Sequence, residues 1–119
     1  MKYPVIIFLI FIAFLQGCYY DKVFINNNTT CDTAIITYSG SVIPVLTAYC
    51  IGCHSGPNAP LGVNLDSYSG TKVQVINGDL LGAITHTPGH SPMPKSGNKL
   101  SDCNIAKIRK WIAGGAPNN

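Results

Sequence analysis

Cys50-Ile51-Gly52-Cys53-His54 is the stretch on which the reading of this chain turns. Two thiols three positions apart can form thioether bonds to the two vinyl groups of one haem. The imidazole beside the second thiol then becomes an axial ligand of the iron. C-x-x-C-H therefore reads as a c-type haem attachment site, with Cys50 and Cys53 as covalent anchors and His54 as proximal ligand. Two other chemistries use such cysteine pairs. A thioredoxin-like C-x-x-C calls for a βαβ frame and a cytosolic setting, and neither is apparent. A zinc site calls for a second ligand pair at similar spacing, and neither a second C-x-x-C nor an H-x-x-x-H pair lies near this one.

The N-terminus points outward from the cytoplasm. Met1-Lys2 is a short positive start, followed by an almost unbroken apolar run from Val5 to Leu15. Eleven residues are too few for a membrane-crossing helix, which needs about 20. That length suits the apolar region of a secretory signal. Leu15-Gln16-Gly17-Cys18 follows and resembles the lipobox of bacterial lipoproteins, although Gln16 is unusual in it. The likeness implies a signal peptide over residues 1–17, lipidation of Cys18, and a mature chain that is exported and held to a bacterial membrane, facing the periplasm or the cell surface. Ordinary signal cleavage nearby or an uncleaved anchor are the alternatives. An oxidising compartment also gives the remaining thiols a use. With Cys18, Cys50 and Cys53 assigned, Cys31 and Cys103 are left, and export favours their pairing as a disulfide.

Residues 18–37 include Asn26-Asn27-Asn28-Thr29-Thr30, lack helical or strand periodicity, and read as a lipidated terminus and flexible tether. With Cys31 pinned, about a dozen free residues would span roughly 20 Å on average. The formal charge of +3, which falls to +2 when a leader containing Lys2 is removed, is too mild to suggest a nucleic-acid partner.

Residues 38–119 then form one small domain. Val42, Leu46 and Tyr49 fall on one helical face beside Val45, with Ser41 as the expected cap and Pro44 in the first turn. This helix leads into Cys50. A second helix is expected from Ser101-Asp102, with Ile105, Ile108 and Ile112 on one face next to Trp111, ending at Gly114-Gly115 before Pro117. Between them, residues 71–76 alternate like a strand but have no evident partner, so a short helix closed by Asn77-Gly78 is preferred. Residues 79–85 predict another, carrying Leu80, Leu81 and Ile84 inward. The fold class is all-α. A globule of about 80 residues has a marginal core, and a large apolar macrocycle would complete it. The form lacking it is expected to fold poorly.

The attachment site after one helix, Met93 in Pro92-Met93-Pro94, and a Trp-bearing last helix together resemble a small class I cytochrome c over roughly residues 38–117. The stretches Gly62-Val63-Asn64-Leu65-Asp66-Ser67-Tyr68 and Trp111-Ile112-Ala113-Gly114-Gly115-Ala116-Pro117 are similar to membrane-anchored lipoprotein cytochromes with a planctomycete-type domain. The resemblance implies short helices wrapped around one covalent haem c, with the terminal helices crossing. Cys50 and Cys53 would carry the thioethers, His54 the proximal bond and Met93 the distal one. His86 and His90 are competitors for the sixth position, their other roles being a hydrogen bond to a propionate or a place in a solvated loop. Ala59 or Pro60 is the expected acceptor for the His54 Nδ1 proton, and Lys95, Lys99 and Trp111 are candidates to meet the propionates.

Two protein ligands leave no position for a substrate. The expected function is a non-enzymatic electron carrier working between protein donors and acceptors. The alternative is a gas-binding or sensor module with a labile sixth position. A peroxidase is disfavoured for want of a distal His-Arg frame.

Overall fold

A computed structural model describes residues 30–95 and 97–119. The signal peptide, Cys18 and the tether up to residue 29 lie outside the described residues. The compact unit runs from Cys31 to Asn119 and so includes seven residues ahead of Tyr38. The Cys31–Cys103 disulfide accounts for this. It joins chains 72 residues apart in sequence, with a Cα–Cα distance of 5.5 Å that lies within the normal range.

The architecture among the described residues is all-α. A π-helical turn, Tyr38–Val42, leads into α1, Ile43–Tyr49. A 3-10 turn follows at Pro60–Gly62, then α2, Tyr68–Ile76, α3, Asp79–Thr85, and α4, Asp102–Ala113, with no strand. None of these helices is long and apolar enough to cross a membrane.

The first helical segment starts earlier than Ser41. Thr37 is the cap, its Oγ1 accepting from the Gly40 amide at 3.0 Å, while the Ser41 hydroxyl accepts from the Thr37 amide at 3.3 Å. This is the reciprocal logic of a capping box. Pro44 explains the widened turn ahead of it, because its ring crowds the preceding turn and it has no N–H to donate. The amides of Val42 and Ile43 reach back five residues to Thr37 and Tyr38 instead.

The strand-like alternation of residues 71–76 resolves as helix α2. Ser67 caps it three residues upstream, accepting from the Gly70 amide, and Thr71 is its buried residue. Among the described residues there is no neighbouring strand to reward the extended form. Helix α3 matches its expected limits and buries Leu80 and Ile84. Ser101 caps α4, which buries Ile105, Ile108 and Trp111. Val42, at the end of the π-helical turn, and Val45 and Leu46 on α1 are buried, whereas Tyr49 is half exposed.

The π-helical turn packs on α4, α2 on α3 and α3 on α4. At the first of these junctions Tyr38 stacks on Trp111 (centroids 5.3 Å apart) and meets Tyr68 edge-on (5.2 Å). Such geometry contributes beyond area alone. The C-terminal residues close over it. Tyr68 Oη and Lys72 Nζ donate to the Ala116 carbonyl, Trp111 Nε1 donates to the Pro117 carbonyl, and the Tyr38 and Ser39 amides donate to Asn119. No buried side-chain polar atom among the described residues lacks a partner.

Candidate functional site

The attachment motif follows directly from the end of α1. Leu46 O accepts from the amides of both Cys50 and Ile51, and Cys50 O then accepts from those of Cys53 (3.1 Å) and His54 (2.9 Å). This pair of turns brings Cys50, Cys53 and His54 to the wall of one cavity of about 670 Å³. That is within the span of pockets that enclose small molecules, roughly 300–1,000 Å³. Both thiols are free.

A short return loop fixes His54. Its carbonyl accepts from the Leu65 amide at 2.8 Å, and its Nδ1 lies 3.0 Å from the Val63 carbonyl. A carbonyl can only accept, so Nδ1 carries a proton, and in the neutral ring this leaves the lone pair on Nε2. Val63 thus replaces Ala59 or Pro60 as the acceptor. The 3-10 turn at Pro60–Gly62 reverses the chain and carries the Val63 carbonyl, not an earlier one, back beneath the ring. Asn64 and Asp66 brace the loop. Asp66 accepts from the Gly56 amide at 2.9 Å, and Asn64 accepts from the Asp66 amide at 2.9 Å.

The facing wall comes from α3 and the segment after it. Leu80, Ala83 and Ile84 line the cavity, as do His90, Met93 and Lys95. Met93 is half-buried, and its amide donates to the Ala83 carbonyl at 3.0 Å. Leu61 and Tyr49 also border the cavity, with Leu61 fully exposed and Tyr49 half exposed.

The other sequence candidates separate. His86 does not line the cavity. It is exposed, and its Nε2 lies 3.0 Å from the Met93 carbonyl. His90 does line the cavity. Its Nδ1 is 3.3 Å from an Asp79 carboxylate oxygen, and its ring fills the place a Cβ on Gly82 would occupy. Of the three groups expected to meet propionates, Lys95 alone lines the cavity. Trp111 is committed to the Pro117 carbonyl, and Lys99 is not part of the wall. Nothing in the sequence marked Val63 O, because the acceptor is a backbone atom placed by the loop.

The donor set also discriminates among metals and reactions. Burial pushes the Cys50 thiol up to about 11, the opposite of what a thiolate nucleophile or redox C-x-x-C requires. His86 and His90, four residues apart, would supply the histidine pair of a Cys₂His₂ zinc set. Yet no three His, Cys, Asp or Glu side chains gather to hold an ion among the described residues. What the cavity does present is two thiols, the imidazoles of His54 and His90, and one thioether, in a predominantly apolar lining. Comparison with family models, with known proteins and with solved structures finds no match to this chain.

Proposed function

We propose that the chain is an exported, membrane-tethered, mono-haem c-type cytochrome that carries single electrons between protein donors and acceptors. The observation that supports this most is the meeting of Cys50, Cys53, His54 and Met93, from two distant parts of the sequence, on the wall of one apolar cavity. The size of that cavity, its two free thiols and the exposed Leu61 at its rim fit a large apolar group held by thioethers. On this reading the helices form a cytochrome c-like wrapping.

When bound, haem c supplies a one-electron iron couple. The chain's own residues set its character. His54 offers Nε2 while the Val63 carbonyl holds its Nδ1 proton, which fixes the ring's orientation and raises its basicity. Met93 offers a soft thioether, which favours the reduced state relative to a second imidazole. Leu65, Leu80, Ile84 and Leu100 exclude water and raise the potential by the same logic. Lys95 supplies a cation on the wall for an anionic substituent. No residue in this arrangement is asked to move a proton or attack a substrate, so the reading is of a carrier and not an enzyme.

The test is spectroscopic. After maturation in a host competent for haem attachment, the denatured, acid-acetone-extracted protein should remain coloured in a pyridine hemochrome assay. The oxidised native protein should show a weak far-red sulfur-to-iron band. Met93→Ala should abolish that band and lower the potential. A colourless extract defeats the proposal. A coloured protein that has no such band and takes up CO rapidly when reduced would point to a gas-binding module instead. Membrane tethering is tested separately: Cys18→Ser should move the protein to the soluble fraction, and unchanged fractionation would count against lipidation.

A further inference from the structure

We propose that His86 is a positioning residue that holds Met93 on the cavity wall. The functional consequence rests on the haem reading above, while the hydrogen bond itself stands on the structure alone. Met93 lies between Pro92 and Pro94, neither of which has an amide proton, so in this triplet only Met93 can donate a backbone hydrogen bond. Both of its backbone polar groups are tied to the C-terminal end of α3. Its N–H reaches the Ala83 carbonyl at 3.0 Å, and its carbonyl lies 3.0 Å from His86 Nε2. The carbonyl accepts, so the imidazole donates from Nε2.

The support on which these bonds stand is firm. Leu80 and Ile84 bury α3 in the core. His86 follows as its C-terminal cap in the left-handed conformation, φ 57°. That conformation turns the chain, and the ring reaches Met93, seven positions further along the chain. The loop contains Pro88, Gly89 and Pro92, so it has little regular bonding of its own. His86 thus acts at a distance from the cavity it does not line. It fixes the backbone from which the thioether projects, and through that backbone the ease with which an added ligand can displace it.

Two variants separate this role from a merely structural one. His86→Gly removes the donor while keeping a residue that favours the left-handed cap. His86→Gln keeps a side-chain N–H with reach. In the haem-loaded protein, hydrogen exchange at the Met93 amide should quicken about fivefold in His86→Gly, the equivalent of one ordinary hydrogen bond, and return towards wild type in His86→Gln. Azide binding to the oxidised protein should quicken by a similar factor and be restored in the same way. Unchanged exchange in His86→Gly overturns the proposal, as does equal quickening in both variants, which would make ring packing the cause. A wild-type protein without the far-red band removes Met93 as ligand, yet the exchange measurement still decides whether His86 holds it.

Discussion

The two ends of the first helical segment, Tyr38–Val42 continuing into α1, are finished differently. Towards α4, Tyr38 lies between Tyr68 and Trp111, and every hydroxyl, indole N–H and terminal carbonyl near them has a named partner. Towards the attachment loop, the same helix ends at a cavity of about 670 Å³, with Tyr49 half exposed and Leu61 fully so. One junction is complete with the side chains the chain supplies. The other is an open, mostly apolar cleft lined by Cys50, Cys53, His54 and Met93. On the haem reading proposed above, the difference marks where the chain would rely on a group besides its own residues.

Breaking the dependent side should have the largest effect. Cys50→Ala with Cys53→Ala should remove all covalent haem from the extracted protein, and calorimetry should show unfolding at a clearly lower temperature and over a broader range than in the loaded protein. A transition as high and as sharp as the loaded protein's would mean the closed junction suffices by itself. Next, Cys31→Ser with Cys103→Ser should destabilise the haem-loaded protein by about 4 kcal/mol in denaturant titration, since the bond closes a loop of 72 residues. Within the closed junction, Tyr68→Phe removes the donor to the Ala116 carbonyl and should cost about 1 kcal/mol. Leu61→Ala at the cavity rim should change the stability of the unloaded protein by less than about 0.5 kcal/mol, because the side chain is fully exposed there.

A last effect is absent at neutral pH and appears only in alkali, as a slope with pH in the unloaded protein. The Cys50 thiol titrates near 11 when folded and near 9.0 when unfolded. Between those values the unfolded chain has released the proton and the folded chain has kept it. Stability should therefore be constant below about pH 9 and decline as the pH rises towards 11. Thioether formation removes the group, so the loaded protein should lack this decline, as paired denaturant titrations would show.

Much of the fold was legible locally. The limits of α3, the cap at Ser101 and the apolar face of α4 follow from turn residues and a 3.6-residue period that act within a dozen positions. The first helix was harder, because its cap is Thr37 and its opening turn is widened ahead of Pro44, a compromise between two neighbouring constraints. Residues 71–76 alternate like a strand, yet the preferred reading as a helix closed by Asn77-Gly78 holds, since a period of two means little without a second strand to pair with.

The amino-acid order by itself determined which side chains can do chemistry: a C-x-x-C-H motif is a covalent spacing and survives any fold, and cysteine parity singled out Cys31 and Cys103. Only the tertiary structure decided which backbone carbonyl holds the His54 proton, that His86 grips Met93 from outside the cavity while His90 faces into it, and that Trp111 serves the core. The physical reason is range. Motifs and caps are set by bonds and contacts a few residues apart, whereas the partners of these four residues are fixed by how loops return and helices pack.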